Sequence, residues 1–257
     1  MEADKVKIDT EKCVGCGLCV KICPAHNLKI ENKKAKTIMD ECVFCGHCTA
    51  VCPKRAVSIG DGDREEPEKN REVRLNPQTV LEVIRFRRSV RRFQSKAIPN
   101  ETIEDILEAG RLTHTAKNAQ DVSFIVLQKE KDRIEQMAVQ LFKKIKPFAD
   151  IFSPMAKNNR IDENFFFFQA PIAIIVLAKN KTNGILAAQN MEYVAEAHGL
   201  GVLFSGYFTT AANLSRKIKK AIRKPRGKRV AMTLVLGYPA VNFLRPPKRK
   251  ELNVQWL

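Results

Sequence analysis

Eight cysteines near the start of the chain repeat one spacing twice. They occur in "CVGCGLCVKICP", from Cys13, and in "CVFCGHCTAVCP", from Cys42, with a period of 29 residues. Each copy reads C-x2-C-x2-C-x3-C-P, the spacing by which a tight loop and the start of a helix present thiolates to a [4Fe–4S] cluster. We therefore predict two [4Fe–4S] clusters in this part of the chain.

The predicted ligand sets exchange one cysteine, because the fourth cysteine of such a run serves the other cluster. The first set is Cys13, Cys16, Cys19 and Cys52, and the second is Cys42, Cys45, Cys48 and Cys23. Zinc ribbons and disulfides are the alternatives. However, zinc does not require a third cysteine two residues on, and disulfides disagree with a cytosolic chain. His26 and His47 stand beside the ligands, and we interpret them as surface residues because a full thiolate set needs no imidazole.

A second group of residues that could do chemistry is the run "IRFRRSVRRF", residues 84–93, in which five arginines surround Ser89. Such a run is typical of a solvated basic surface or a nucleic-acid patch. A single phosphate site is a third interpretation. The run alone does not choose among them.

Composition and charge limit the class of protein. The chain has 257 residues, 44% of them hydrophobic and 28% charged, which fits one or two globular domains with a sizeable core. Of the net charge of +17, little lies in residues 1–62, which hold 10 Lys/Arg and 8 Asp/Glu. The remaining basic surface would attract nucleic acid, an acidic protein or small anions.

No segment predicts contact with a membrane. The longest apolar run, "APIAIIVLA" at residues 170–178, is too short to span a bilayer, and the first twelve residues lack the apolar centre of a secretory signal. We therefore expect a soluble, cytoplasmic chain.

The elements that must position these groups fall into two domains. We predict a cluster domain at residues 1–60, a linker at 61–77 in a polar stretch without apolar periodicity, and a second domain at 78–257. In the second domain, strands are predicted at 122–128, 171–178, 201–207 and 229–238. Helices are predicted at 99–112 with Asn100 as the cap, 131–145, 183–201 with Gly199 as the stop, and 209–224. This is a mixed α/β pattern, and without G-x-G-x-x-G between strand and helix a Rossmann site is not expected.

The order of motifs in the second domain resembles the FMN-dependent nitroreductase family. The motifs are "RFRRSVRRF", "THTAKNAQDVSFIVL", "AAQNMEYVAEAHGLGVLFSGY" and "LVLGYP" with a basic tail, and they span residues 76–257. The first 60 residues resemble bacterial two-cluster ferredoxins. The resemblance implies an α+β chain in which a ferredoxin-like domain precedes a nitroreductase-like mixed α/β domain.

The resemblance also implies a homodimer with FMN at two sites built from both subunits. In the family, an Arg-x-Ser motif at the start of the first long helix grips the FMN phosphate, and the matching residues here are Arg87, Arg88 and Ser89. Arg91 matches a basic residue that reaches the flavin ring, whereas Arg85 and Arg92 fall outside the motif and are expected on a solvated surface. A second phosphate contact is expected from the tail, where the candidates are Arg245, Lys248 and Arg249, with Arg249 the first choice.

Further flavin contacts follow from the same resemblance. Asn118 matches an asparagine that contacts the flavin, and Ser205 and Gly206 match the pair whose backbone approaches flavin N5. The chain departs from the family at residues 113–115, which are Thr-His-Thr. His114 could donate a proton there, although we favour a role in filling loop space. For "FFFF", residues 165–168, we favour a place in a helix or in a dimer core over stacking on the flavin.

Taken together, these features predict an oxidoreductase enzyme in which two [4Fe–4S] clusters pass electrons to FMN. The flavin would then reduce a nitroaromatic, a quinone or a similar small acceptor, with no side-chain acid or nucleophile required. The expected electron donor is an acidic ferredoxin or flavodoxin, or NAD(P)H. The alternatives are an electron relay or redox sensor acting on a protein partner, and a nucleic-acid-binding protein with structural clusters, although we expect no specific nucleic acid.

Overall fold

The computed structural model describes residues 6–60, 68–69, 74–152 and 154–257, so residues 61–67 and 70–73 of the predicted linker lie outside the described residues. The chain divides into two compact units. The first comprises Met1–Arg74 and Thr115–Ala119, and the second comprises Leu75–His114 and Gln120–Leu257. None of the described helices is both long and apolar enough to cross a membrane.

The first unit consists of two small antiparallel sheets and two short helices. Its elements are β1 (Val6–Ile8), α1 (Leu18–Ile22), β2 (Leu28–Glu31), β3 (Lys34–Thr37), α2 (His47–Val51) and β4 (Val57–Ile59), with a 3-10 turn at Ala116–Asn118. Strand β1 pairs with β4, and β2 pairs with β3. Helices α1 and α2 each begin after a left-handed glycine, Gly17 with φ 75° and Gly46 with φ 74°, and glycine adopts this conformation without steric cost. The buried cysteines Cys13, Cys19 and Cys48 form part of the core of this unit.

The second unit is a four-stranded antiparallel sheet covered by helices on both faces. Its elements are α3 (Pro77–Phe86), α4 (Asn100–Arg111), β5 (Ser123–Leu127), α5 (Lys131–Phe152), α6 (Pro154–Asn158), β6 (Ile172–Ala178), α7 (Lys181–Ala197), β7 (Gly201–Phe204), α8 (Gly206–Leu214), α9 (Arg216–Ala221) and β8 (Arg229–Gly237). The strand order is β5-β6-β8-β7. All seven residues of β6 are buried, because strands β5 and β8 flank it and side chains pack on both of its faces.

The two faces of this sheet have separate apolar cores. One core joins the sheet to α5, α8, α9 and the phenylalanine run, in which Phe166 and Phe167 are buried against Phe208. The other joins it to α4 and α7 through residues such as Ile106 and Met191. The phenylalanine run forms a turn rather than a helix. Two of its four rings, those of Phe166 and Phe167, are buried in this core, and the other two are half-buried.

The predicted fold class is confirmed, but several element boundaries were wrong. Strand β7 ends at Phe204, because helix α8 already begins at Gly206. The predicted helix 209–224 is two helices, because Ser215 has an extended backbone and its hydroxyl caps α9 by accepting from the Ile218 N–H. Asn100 is the first residue of α4 rather than its cap, since Pro99 occupies the cap position with φ −58° and ψ 144°.

Helix α3 lies outside the predicted elements. Its start signal is nevertheless present, because Asn76 caps the helix by accepting from the Thr79 N–H and Pro77 occupies the first turn. Helix α5 runs past its predicted end at residue 145 and contains Pro147. The predicted stop of α7 is confirmed, because Gly199 follows the cap residue His198 with φ 71°.

Candidate functional site

Each of two cavities in the first unit is lined by four cysteines. Cys13, Cys16, Cys19 and Cys52 line one cavity, and Cys23, Cys42, Cys45 and Cys48 line the other. The structure therefore brings together the same two sets that the spacing predicts. None of the eight cysteines, all of which lie in the described residues, is paired in a disulfide.

Backbone N–H groups point at the sulfur atoms in a repeated arrangement. The Asn27 N–H donates to Cys23 Sγ at 3.4 Å, and the Ala56 N–H donates to Cys52 Sγ at 3.3 Å. The Ala35 N–H donates to Cys13 Sγ at 3.4 Å. Hydrogen bonds from the Ala35 and Gly15 backbones lower the pKa of the Cys13 thiol, so they favour the thiolate, which is the form that binds metal.

Burial acts in the opposite direction on the third cysteine of each run. It raises the pKa of Cys19 and of Cys48, and the neighbouring cysteines of each set raise it further. Within the described part of the chain, no group of three or more His, Cys, Asp or Glu side chains forms a site for a single metal ion. Thiolates around a four-iron cluster are spread over four metal atoms, so the donor set and the cavities fit a cluster.

Five arginines gather around one cavity of about 540 Å³ in the second unit. The lining residues are Arg87, Arg88, Ser89, Arg91, Arg92, Val241, Phe243, Pro247 and Arg249. The cavity therefore contains the whole predicted Arg-Arg-Ser motif, Arg91, and the first-choice tail residue. Arg245 and Lys248 are exposed and are not among these lining residues.

The arginine segment is held beside β7 by backbone contacts. Ser89 forms a bridge with Val202, and the Val90 N–H donates to the Val202 carbonyl at 3.1 Å. Glycine is required at position 201 for this approach, because an added Cβ would lie 2.5 Å from Val90 Cγ2. The segment follows the end of α3 rather than starting a long helix, so the expected helix position was wrong. Because the segment follows the C-terminal end of α3, it offers an anion no favourable dipole from a helix N-terminus.

Charged and aromatic neighbours fix two of these arginines. Arg87 Nη1 lies 3.4 Å from Glu192 Oε1, and the Glu192 side chain is only 2% exposed. Burial, followed by the nearby Glu192 carboxylate, raises the pKa of Glu196, whereas Arg87 lowers it. Arg88 stands over the Phe243 ring, 5.5 Å from its centre. Arg92, expected on a solvated surface, is exposed but also lines the cavity, whereas Arg85 is exposed and does not line it.

Ser205 and Gly206 occupy the junction between β7 and α8. The buried Ser205 hydroxyl donates to the Phe166 carbonyl at 3.1 Å. An added Cβ at Gly206 would meet no atom within 4 Å, so neither packing within the chain nor a left-handed backbone demands glycine there. The space beside Gly206 is therefore open to the close approach of a ligand.

The phenylalanine run, whose Phe166 carbonyl accepts from Ser205, is itself held by a buried carboxylate. Glu135 is 1% exposed, and its Oε1 accepts from the Phe166 N–H at 2.9 Å and from the Phe167 N–H at 2.7 Å. Burial raises the pKa of Glu135 to about 7, although these two hydrogen bonds oppose the shift.

Asn118 belongs to the first unit. Its Nδ2 donates to the Phe44 carbonyl at 2.7 Å and to the Val43 carbonyl at 3.3 Å. A flavin contact for Asn118 stays a prediction. His114 is exposed, whereas the adjacent Thr113 is buried and accepts from Asn190 Nδ2.

Two buried glutamates that support the site, Glu192 and Glu135, were not predicted from the sequence. Glu192 and Glu196 stand one turn apart on α7. This i, i+4 spacing was the signal in the sequence that the two carboxylates could share a basic partner such as Arg87. Nothing in the sequence around Glu135 marks it as buried.

Residues 84–238 match the profile described as "Nitroreductase family". The chain belongs to the nitroreductase family. Residues 5–53 match a second profile, described as "4Fe-4S dicluster domain". This nitroreductase-family chain is accordingly an oxidoreductase with an iron–sulfur domain at its N-terminal end.

Relatives of the nitroreductase-family chain carry related names. A Methanothermobacter thermautotrophicus protein named "Putative NADH dehydrogenase/NAD(P)H nitroreductase" is 26% identical over 66% of this chain and 82% of its own length. A Staphylococcus haemolyticus "NADPH-dependent oxidoreductase" is 24% identical, with 66% and 68% covered.

Solved structures show the same fold. A Bacteroides fragilis nitroreductase with bound FMN superposes with a TM-score of 0.57 at 22% identity, over 71% of this chain and 100% of that one. A Desulfitobacterium hafniense nitroreductase with bound FMN has the same TM-score at 20% identity, with 69% and 97% covered.

Proposed function

We propose that the protein binds two [4Fe–4S] clusters and FMN, and that it reduces a nitroaromatic, a quinone or a similar small acceptor. The observation that carries this proposal is the arginine-lined cavity, which gathers five guanidinium groups and the Ser89 hydroxyl around one space. When bound, the clusters would each carry one electron and FMN would collect two for transfer to the acceptor.

The cavity offers the contacts that a phosphate monoester requires. Arg88 and Arg249 can each present a planar fork of N–H donors to phosphate oxygens, and Ser89 can add a short hydroxyl bond. Arg87 is partly committed, because it also faces Glu192. Arg91 is left to place positive charge near the flavin ring, where negative charge accumulates on reduction.

The junction at Gly206 supports the same proposal. Its open space lets the main chain come close to a flat ring, and the Ser205 hydroxyl bond to Phe166 holds the junction in place. These residues would position the cofactor, and protons can reach the acceptor from solvent.

A homodimer is part of the proposal, since the second unit exposes apolar surface along α3 and the tail. None of the ten residues of α3, all within the described part of the chain, is buried. Leu81 is 53% exposed and Ile84 45%. In the tail, Leu244 is 73% exposed and Trp256 89%. A cavity of about 880 Å³ lies between α3, α7 and the start of the tail, and a second copy would cover this surface.

Anaerobic purification tests the cofactor content. We expect FMN and about eight irons per chain, because two four-iron clusters require them. The visible spectrum should show both the flavin bands and the broad thiolate-to-iron absorption. A colourless protein that carries zinc would overturn the proposal.

A further inference from the structure

The two copies of the cysteine repeat differ at one backbone position. Gly15 in the first copy corresponds to Phe44 in the second, and both are left-handed, with φ 68° and φ 50°. The first copy requires glycine, because an added Cβ at Gly15 would lie 2.2 Å from the Lys33 carbonyl oxygen. Phenylalanine in this conformation carries a steric cost of roughly 1–2 kcal/mol. The second copy therefore keeps the same left-handed turn although it has phenylalanine in place of glycine.

The strained turn delivers a hydrogen bond to a predicted cluster ligand. The peptide group between Val43 and Phe44 has its N–H directed at Cys42 Sγ, at 3.3 Å. The carbonyl of the same peptide group accepts from Asn118 Nδ2 at 3.3 Å. Asn118 Nδ2 also holds the next carbonyl, that of Phe44, at 2.7 Å. One carboxamide thus fixes two consecutive peptide groups of the loop between Cys42 and Cys45.

Asn118 is itself in a left-handed conformation, with φ 50°, as is Lys117, with φ 54°. Asparagine tolerates this region better than other side chains that carry a Cβ. The segment Thr115–Ala119 belongs to the compact unit that contains the cysteines. The contact between Asn118 and the cysteine loop therefore lies within one unit. The two hydrogen bonds that Asn118 donates to this loop offset the steric cost of its own left-handed backbone.

We propose that Asn118 is a positioning residue for the second cluster, and that it raises the reduction potential of this cluster by orienting the Val43–Phe44 peptide toward Cys42. This inference rests on the proposed function, because it requires the cluster to be bound. N–H···S hydrogen bonds to ligand sulfurs help set cluster potentials, so the direction in which this N–H points affects the potential. Reduction adds one electron to the cluster, and a donor aimed at the sulfur stabilises the added negative charge.

The test is a potentiometric titration of the holoprotein with dithionite, followed by electron paramagnetic resonance. In Asn118→Ala we expect one of the two cluster waves to move to a more negative potential, by up to about tenfold in the reduction equilibrium, or about 59 mV for one electron. The other wave should stay in place and serves as an internal standard. The wave that moves should be the one lost in Cys45→Ser.

Asn32→Ala is the matched control. Asn32 is also an asparagine with φ 50°, exposed in the same unit, and it has no bond to the Cys42–Cys45 loop within the described residues. Both cluster potentials should be unchanged in this variant. If Asn118→Ala leaves both waves in place, or moves both equally, the inference is wrong.

A second variant separates orientation from general loosening. Phe44→Gly removes the steric cost of the left-handed turn, so the peptide can keep its direction without the asparagine. In the Asn118→Ala background it should return the shifted wave toward the wild-type potential, and a full remaining shift would overturn the inference. A wild-type protein without iron would instead defeat the proposed function, so the two failures are distinguishable.

Discussion

Arg87 and Glu192 form an ion pair beside the arginine-lined cavity, with 3.4 Å between Nη1 and Oε1. The glutamate side chain is 2% exposed and the arginine side chain 28%. Arg87 therefore neutralises a buried carboxylate while it also lines the cavity. Removing it should affect both the stability of the second unit and the binding of an anion.

For stability, we expect Arg87→Ala to lower the free energy of unfolding of the flavin-free protein by about 1–3 kcal/mol, because Glu192 is left charged and buried without its partner. The double variant Arg87→Ala with Glu192→Gln should recover most of this loss. Urea unfolding followed by circular dichroism measures both. Equal loss in the single and the double variant would show that the ion pair is not the cause.

For cofactor binding, Arg249→Ala should weaken FMN affinity about 10- to 100-fold, since it removes charge-assisted hydrogen bonds of about 1.5–3 kcal/mol. Arg85→Ala is the matched control, because Arg85 is exposed and lies outside the cavity lining. Fluorescence titration of the flavin-free protein gives the affinity, and iron content should be the same in both variants. Unchanged FMN affinity in Arg249→Ala would remove this residue from the phosphate site.

Glu135 predicts a pH dependence of stability. Its pKa is raised to about 7 from an ordinary value of 4.5, so between these values the folded state binds more protons than the unfolded state. Stability is therefore highest below pH 4.5 as far as this group is concerned, and it falls by up to about 3 kcal/mol as the pH rises to about 7.

Glu135→Gln should abolish this fall, because the glutamine oxygen can still accept from the Phe166 and Phe167 N–H groups but carries no charge. Urea unfolding at several pH values between 4.5 and 8 measures the difference. Glu130→Gln, which changes an exposed carboxylate, should keep the wild-type slope. A Glu135→Gln variant that keeps the slope as well would show that another group titrates.

The proposed electron path predicts a dependence on the donor. Replacing Cys16 and Cys45 by serine removes one ligand from each predicted cluster. Anaerobic turnover driven by reduced ferredoxin should collapse, whereas chemically reduced flavin in the same variant should still reduce a nitroaromatic or a quinone. If the ferredoxin-driven rate is unchanged, the clusters are not on the path. If the variant keeps a full NAD(P)H-driven rate, that donor reduces the flavin directly.

The sequence predicted features that depend on local spacing. The cysteine runs define both cavity sets, and the buried strand at residues 172–178 is a continuous apolar run. The break at Ser215 was missed, because a serine inside an apolar period is compatible with a helix until its side chain caps the next one. The pairing of Arg87 with Glu192 joins residues that are 105 positions apart, and no periodicity encodes such a contact.

The sharing of cysteines between the two cavities makes the repeat indivisible. A fragment that ends at residue 40 would keep four cysteines, but three of them line one cavity and the fourth, Cys23, lines the other. Such a fragment completes neither set, although it contains one whole copy of the motif. The duplicated segment is therefore a single module of about 60 residues. Any rearrangement of the chain must keep both copies of the repeat together, because neither cavity has its four cysteines without the other copy.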